Sequence, residues 1–369
     1  MLDGLTTWLL LPLGMALGWA LSRRAPELDP MGEATPPPEN AELVTDNPEL
    51  QLSLGTVFRR RGEVDQALAL HKALSERTDI APDQRDAAYL ELAEDYQQAG
   101  LMDQAEAIWR SLAAGHGPQA SAAVQELLTV AEQGQDWEGA VQLARQLEAL
   151  QGASCRPRIA HYRCEMAEQA LTDSQFEQAA QLARKALRDD SRAVRPRWLL
   201  GRIAEAAGDL RAAAEGYRTA LEVDGRYVVD LLPSLETVLE QIGDPRLRDE
   251  MLADIAKSCD APALVVTLAQ RAERQGEDPL PMLAEGLKTH PSRTVLKAFL
   301  GTMGPREAVQ AAGLSDAALA LKGALEAMER GAPGFVCEQC GFTPRNRFWQ
   351  CPACRQWGSI QRVSDRFEA

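Results

Sequence analysis

Small and apolar residues recur with helical spacing from about Glu49 onward, and the pattern repeats along the chain. One unit reads LGTVFRRRGEVDQAL, with Gly55 in the first helix, Gly62 at the turn and Ala67 five residues beyond it. The alanines at positions 67, 105, 140, 179 and 213 mark five such units, at intervals of 38, 35, 39 and 34 residues. These intervals are close to the tetratricopeptide period of about 34 residues. The pattern predicts an all-α fold, a tetratricopeptide-type α-solenoid built from antiparallel helix pairs.

This spacing has a physical cause. Small residues at a helix crossing let two helices approach, glycine permits the turn, and aromatic residues such as Trp109 and Tyr217 fill the space between units. An unrelated alanine-rich helical bundle is the alternative, and five units in register argue against it. After Leu221 the pattern weakens, but we interpret the continuing apolar spacing as further, degenerate helix pairs at Leu231–Ile242, Met251–Ile255, Leu264–Ala272 and Ala317–Met328.

The apolar run near the N-terminus has a different character. Leu5 to Leu21 reads LTTWLLLPLGMALGWAL, an uncharged run that as a helix would span about 26 Å, the short end of what crosses a bilayer. Trp8 and Trp19 lie toward its ends, where indoles favour the membrane interface. A cleaved signal peptide would carry a basic residue before the run, and a buried core helix is rarely apolar on every face. The run therefore predicts one N-terminal transmembrane helix.

The flanking charges predict the orientation of this helix. Arg23 and Arg24 follow the run and no basic residue precedes it, so the positive-inside rule places the bulk of the chain in the cytoplasm. The next segment is rich in proline and acidic residues, which predicts a semi-extended tether. The expected organisation is an anchor at 1–24, a linker at 25–48, a solenoid at 49–330 and a small cysteine-containing domain at 331–369.

Composition narrows the classes of function. A net charge of −15 argues against nucleic acid as a general partner. Cys155, Cys164 and Cys259 are scattered and odd in number, which favours a reducing compartment over a disulfide framework. No catalytic constellation emerges, so we expect a non-enzymatic protein; the four histidines share no ligand spacing and lie at His71, His116, His161 and His290.

One stripe of the solenoid is a candidate partner-binding surface. The concave face of such a solenoid is lined by the first helix of each pair and suits a peptide or protein partner. In this register the concave face carries a basic and aromatic stripe suited to an acidic segment: Arg59, Arg60, Arg195, Trp198 and Arg202. The alternative interpretation is that these are ordinary solvated helix charges.

The C-terminal segment carries the strongest chemical signal. It reads FVCEQCGFTPRNRFWQCPACRQWGSI, with ten residues between the pairs Cys337/Cys340 and Cys351/Cys354. Two C-x-x-C turns can direct four thiolates tetrahedrally at one metal ion. A domain of this size buries too little apolar surface to fold on its own core, so it needs such a metal cross-link. We expect its aromatic residues to form its own small core: Phe335, Phe342, Phe348, Trp349 and Trp357.

Ligand chemistry favours zinc over iron for this one ion. Four thiolates suit either metal, and four protein ligands leave no open position for a hydrolytic water, which indicates a structural role. A redox-active dithiol pair is a weaker option. Arg355 stands where a rubredoxin usually repeats the glycine of the first turn, which weakens the case for a single-iron electron carrier.

The combined architecture resembles the lipopolysaccharide assembly protein B family of Gram-negative bacteria. The resemblance is sharpest in CEQCGFT (337–343) and FWQCPACRQW (348–357), which are similar to that family's rubredoxin-like tail, including the arginine after the last cysteine. The family's metal-ligand role then falls on Cys337, Cys340, Cys351 and Cys354. Several repeats are too degenerate to carry over partner-binding residues.

The resemblance implies a function at the cytoplasmic face of the inner membrane. Members of the family act as adaptors that help the membrane AAA+ protease degrade the deacetylase committing carbon to lipid A, and so regulate lipopolysaccharide synthesis. Other inner-membrane lipopolysaccharide regulators or assembly proteins are further expected partners, and the oligomeric state stays open. The alternatives are a membrane-tethered, rubredoxin-like electron carrier and a general scaffold for envelope assembly.

Overall fold

The computed structural model describes residues 47–258, 262–289, 291–303, 315–329 and 334–363. The predicted anchor, nearly all of the predicted linker, Cys259 and His290 lie outside these ranges. No helix within them is long and apolar enough to cross a membrane. The chain forms two compact units, one ending at Ala105 and the other beginning at Glu106.

The described residues are mainly helical. The first four helices are α1 (Pro48–Arg60), α2 (Val64–Ser75), α3 (Pro82–Gln98) and α4 (Met102–Ala113). The next six are α5 (Ala120–Gln133), α6 (Trp137–Gln151), α7 (Arg156–Thr172), α8 (Phe176–Asp189), α9 (Val194–Ala206) and α10 (Leu210–Val223). The last six are α11 (Val228–Ile242), α12 (Pro245–Ser258), α13 (Pro262–Arg274), α14 (Leu280–Thr289), α15 (Arg293–Met303) and α16 (Ser315–Glu329). A two-stranded ribbon follows, β1 (Phe335–Cys337) and β2 (Ile360–Arg362). The predicted tetratricopeptide-like helical repeat with a C-terminal rubredoxin-type ribbon is confirmed.

The five marker alanines occupy one structural position. Each is the fourth residue of the second helix in its pair, and each is fully buried: Ala67, Ala105, Ala140, Ala179 and Ala213. A larger side chain at this position would push the paired helices apart, because protein interiors are close-packed. The variable intervals between them come from differences in loop and helix length.

The turn before each second helix needs a left-handed backbone. Glycine supplies it in three pairs, at Gly62 (φ 82°), Gly100 (φ 78°) and Gly208 (φ 81°). Gln135 (φ 55°) and Ser174 (φ 60°) adopt the same conformation in the other two. A residue with a Cβ pays about 1–2 kcal/mol for this conformation, so the turn geometry of the repeat is kept even where glycine is absent.

A glycine contact brings α9 and α10 together. A Cβ on Gly216 would lie 2.6 Å from the backbone nitrogen of Gly201 and 2.7 Å from its Cα. A Cβ on Gly201 would lie 2.6 Å from the ring of Tyr217, which is almost fully buried. The two backbones therefore touch at a point where only glycine fits.

Helices also continue beyond the clear repeats. All four predicted degenerate segments lie within helices, namely α11, α12, α13 and α16. The buried apolar side chains of α11 and α12 join Tyr217 and Leu221 in one core. Sequence reasoning missed α14 and α15, although Leu283 and Leu287 follow helical spacing and Leu283 packs in a cluster with Val295.

Replacing Gly216 with alanine tests the backbone contact. We expect Gly216→Ala to lower the free energy of unfolding by about 1–3 kcal/mol, because the added methyl group meets backbone rather than a movable side chain. The matched control is Gly323→Ala in α16, where a Cβ meets no atom within 4 Å. That change should raise stability by about 0.5–1 kcal/mol. Chemical denaturation of both variants checks this, and equal effects would contradict the close approach of α9 and α10.

Candidate metal centre and its docking surface

Two similar turns place the four cysteines. β1 and β2 pair antiparallel with Cys337 opposite Ile360. In the first turn the Gly341 amide donates to the Cys337 carbonyl (2.9 Å), and in the second the Arg355 amide donates to the Cys351 carbonyl (2.8 Å). The two knuckles therefore share one backbone geometry and face each other.

The sulfur positions fit a tetrahedral metal site. All four Sγ atoms lie within 4.8 Å of one another. The Sγ atoms of Cys337 and Cys354 are 3.7 Å apart, as are those of Cys340 and Cys351. A metal with bonds of about 2.3 Å to four sulfurs would hold them about 3.8 Å apart. Zinc and iron both meet this geometry, so the donor set fits one tetrahedral thiolate-bound ion of either kind.

Hydrogen bonds favour the thiolate form of Cys337. Cys337 Sγ lies in hydrogen-bond contact with Ser359 Oγ at 3.2 Å, and the backbone amides of Gln339 and Cys340 donate to the same sulfur. The hydroxyl contact, together with these amides, lowers the pKa of Cys337 to about 6. The thiolate is the form that binds a metal.

Arg355 takes over the backbone role of a glycine. Its φ of 59° is left-handed, like the 75° of Gly341 at the equivalent position of the first knuckle. Its side chain extends to α5, where Gln133 Oε1 can accept from Nη1 at 3.1 Å and from Nη2 at 2.8 Å. The strained residue therefore links the second knuckle to the helices.

The aromatic residues of the tail divide differently from the sequence prediction. Phe335 is buried with Ile360 and the cysteines, as expected. Phe342 and Phe348 are 38% and 44% exposed, so their placement in a core is wrong. Trp349 and Trp357 pack on the helical repeat, because the small interior of the ribbon is filled by cysteines and short strands.

Trp357 enters an aromatic cluster formed by α6 and α7. Its ring stacks on His161 (centroids 5.1 Å apart) and meets Tyr162 edge-on at 5.7 Å and Trp137 edge-on at 6.1 Å. Burial, followed by the nearby Arg195 charge, lowers the pKa of His161 to about 3. His161 is therefore a neutral ring under the ribbon at neutral pH.

Trp349 fills a second site between α9 and the short 3₁₀ helix Gly225–Tyr227 that precedes α11. It stacks on Tyr227 at 5.9 Å and meets Trp198 edge-on at 5.7 Å. The Arg195 guanidinium lies 5.1 Å from the centre of the Trp349 ring while Nη2 donates to Glu165 and Glu168. Aromatic pairs and cation–π contacts of this kind each contribute about 0.5–2 kcal/mol.

Two carboxylates of the helical repeat receive donors from the ribbon. Glu132, at the end of α5, accepts from the Trp357 indole (2.9 Å) and from Gln350 Nε2 (3.0 Å). The same side chain accepts from Arg158 (3.0 Å) and Tyr162 (2.6 Å) of α7. Glu132 is 6% exposed, so a buried charge is satisfied partly by the helices and partly by the ribbon.

Asp230 of α11 forms the second of these contacts. It accepts from Arg347 Nη2 at 2.6 Å and from Arg362 Nη2. Arg347 also lies 4.3 Å from the centre of the Tyr227 ring. Residues that contact the ribbon form a docking surface on the helical repeat, which includes Glu132, Gln133, Trp137, His161, Tyr162, Arg195, Trp198, Arg226, Tyr227 and Asp230.

The residues of the predicted basic stripe have different environments in the structure. Arg195 and Trp198 contact the ribbon, and Arg195 is 3% exposed. Arg59 pairs with Glu91, Glu94 and Asp95, each at 2.7 Å. Arg60 and Arg202 are exposed, and Arg202 lies 3.8 Å from Glu168. A partner-binding role stays a prediction for the stripe, whose buried members are already held by intramolecular contacts.

Sequence reasoning did not single out most of the docking surface. Glu132, Tyr162 and Asp230 lie on helices with ordinary periodicity and Tyr227 lies in the 3₁₀ turn before α11, and no local motif distinguishes them. One signal of this surface in the sequence was the concentration of aromatic residues in the C-terminal segment, in a chain in which only 5% of residues are aromatic. His71, by contrast, is a buried structural residue whose Nδ1 lies 2.5 Å from Asp95.

Comparison with known proteins agrees with the centre described above. Residues 335–362 match the family model described as a rubredoxin metal binding domain. Lipopolysaccharide assembly protein B of Escherichia coli K12 is 27% identical over 382 residues, covering 96% of this chain and 97% of that protein. The chain is similar to lipopolysaccharide assembly protein B. The namesake from Haemophilus influenzae is 28% identical over 320 residues, covering 86% of this chain and 80% of that one. The resemblance inferred from the sequence is confirmed.

Solved structures give weaker matches. The MamA protein aligns over 49% of this chain and 93% of its own, with 16% identity and a TM-score of 0.32. A kinesin light chain with repeats like those of tetratricopeptide proteins, from Podosopora anserina, covers 49% of this chain and 98% of its own, with 19% identity and a TM-score of 0.30. The fold assignment rests on the helix pairs described above.

Removing one sulfur tests the centre. We expect Cys337→Ser to lose the metal ion, unfold the ribbon and uncover Trp349 and Trp357, because metal-binding energy in such a domain is also folding energy. Elemental analysis and a red shift of tryptophan emission measure the two effects. Cys155→Ser, far from the centre in sequence, is the control and should keep both. An unchanged metal content in Cys337→Ser would contradict the assignment, and the same analysis distinguishes zinc from iron.

His161 should make docking sensitive to acid. Its folded pKa of about 3 lies below its unfolded value of 6.5, so its stabilising effect is complete above pH 6.5 and is lost as pH falls toward 3. We expect the melting temperature to drop between pH 7 and pH 5 by less in His161→Phe than in the unchanged chain. Acid also protonates thiolates in both proteins, so the difference between them isolates His161. Identical pH profiles would refute this role.

Proposed function

We propose that this chain acts in lipopolysaccharide assembly or its regulation. The observation that carries the proposal is the similarity to lipopolysaccharide assembly protein B over 96% of the chain, which includes the complete four-cysteine tail. The metal-ligand geometry supports it, since a chain that had lost the centre would not keep four sulfurs within 4.8 Å.

The function that fits best is that of a non-enzymatic adaptor. Helical repeats offer extended surfaces to protein partners. The ribbon adds a second surface, because Phe342 and Phe348 point to solvent and exposed aromatic side chains often anchor protein interfaces. Docking by Trp349 and Trp357 holds these two phenylalanines in a fixed position relative to α5–α11.

We further propose a specific role in proteolysis. In this role, the chain brings the lipid A-committing deacetylase to the membrane AAA+ protease at the cytoplasmic face of the inner membrane. The predicted N-terminal anchor supports this, because confinement to the membrane raises the effective concentration of an adaptor near a membrane protease. A general envelope-assembly scaffold is the alternative, and affinity capture from solubilised membranes distinguishes the two by whether the protease is recovered.

Depletion of the chain tests the proteolysis proposal. The half-life of the deacetylase should lengthen several-fold on depletion and return to normal when the unchanged chain is restored. Cys155→Ser should restore it as well, whereas Cys337→Ser should not, because the ribbon is then unfolded. A deacetylase half-life that does not respond to depletion would exclude the proteolysis role, while altered lipopolysaccharide content under the same conditions would still support the broader function.

A further inference from the structure

A cationic cavity lies at the edge of the helical repeat, where α6 and α8 end and α7 begins. Its volume is about 320 Å³, the low end for sites that bind small molecules. The six lining residues are Arg145, Glu148, Arg156, Ile159, Arg188 and Asp189. None of them belongs to the ribbon-docking surface.

The two carboxylates that line this cavity have polar partners, whereas its three arginines form no ion pair among the described residues. Asp189 pairs with Arg163 at 2.5 Å, and Glu148 accepts the Cys155 amide at 3.2 Å. Among the described residues, Arg145, Arg156 and Arg188 have no carboxylate within the 4.0 Å of an ion pair. Three arginines and two carboxylates line the cavity, so its lining carries a net charge of +1 in a chain of −15.

Three helices each supply one arginine to this cavity. Burial raises the pKa of Asp189, and the charges of Arg163, Arg145, Arg156 and Arg188 all act on the same carboxyl in the opposite direction. Arg145 of α6, Arg156 of α7 and Arg188 of α8 all line the same cavity. Two helix C-termini and one N-terminus meet here, so the positive potential comes from side chains rather than from helix dipoles.

We propose that this cavity binds a phosphate group, free or on a lipid headgroup. Three uncommitted guanidinium groups match a phosphate better than a carboxylate, because a phosphate offers more acceptor oxygens and each can meet the fork of an arginine. Ile159 forms an apolar floor that is 2% exposed, which leaves the arginines as the groups that recognise the ligand. The site is independent of the metal centre and of the proposed adaptor role.

Calorimetry on the full-length chain tests the site with three probes: inorganic phosphate, dihexanoyl phosphatidic acid and dihexanoyl phosphatidylcholine. We expect saturable binding of at least one of the first two, beyond any signal from the zwitterionic lipid. Arg145→Gln, Arg156→Gln and Arg188→Gln should each weaken it about tenfold, the loss of one charge-assisted hydrogen bond. Arg211→Gln, an exposed arginine of α10, is the matched control and should leave binding unchanged.

The outcomes separate the two sources of phosphate. Binding of inorganic phosphate that the three substitutions weaken identifies a soluble anion as a sufficient ligand. Binding of phosphatidic acid alone, weakened by the same substitutions, identifies a lipid headgroup. The proposal is overturned if neither probe binds, or if Arg211→Gln weakens binding as much as Arg188→Gln does. Equal melting temperatures across the variants establish that the fold is intact.

Discussion

The arrangement of the second unit depends on two carboxylates that the ribbon helps to satisfy. Glu132 and Asp230 are largely removed from water, and a buried carboxylate is costly unless donors surround it. The helices supply part of the set for Glu132, and the ribbon completes it through Trp357 and Gln350. For Asp230 the ribbon supplies Arg347 and Arg362. Without the ribbon both sites would face water with part of their hydrogen bonding lost.

A metal ion bound by the four sulfurs would act on these contacts indirectly. The four sulfurs set the shape of two turns, and the turns set the directions of Trp349, Trp357 and Arg355. The ribbon has only two three-residue strands and a small core, so its own packing cannot fix those directions. Metal binding would therefore link ribbon folding to docking, to which the largest aromatic side chains of the tail contribute.

Local patterns in the sequence predicted the parts of the structure that are local. The marker alanines and the C-x-x-C pairs each work within a few residues, so the helix pairs and the sulfur cage could be derived from spacing. The docking surface joins Glu132 to residues 218 and 225 positions away, and no periodicity reports such a contact. Arg355 was recognised as a departure from glycine, but its contact with Gln133 depends on the docked position of the ribbon. The predicted burial of Phe342 and Phe348 was wrong for the same reason, since the exposure of a side chain in so small a domain depends on what the domain packs against.

The separation between Glu132 and Trp357 has a consequence for biosynthesis. At about 5–20 residues per second, roughly 11–45 s of translation separate Glu132 from Trp357. During that interval the aromatic residues that Trp349 and Trp357 contact are made but have no ribbon to cover them, namely Trp137, His161, Tyr162, Trp198 and Tyr227. Nascent chains therefore expose these aromatic side chains to solvent until the ribbon has been made and has folded over them, and metal binding by the four cysteines would promote that folding.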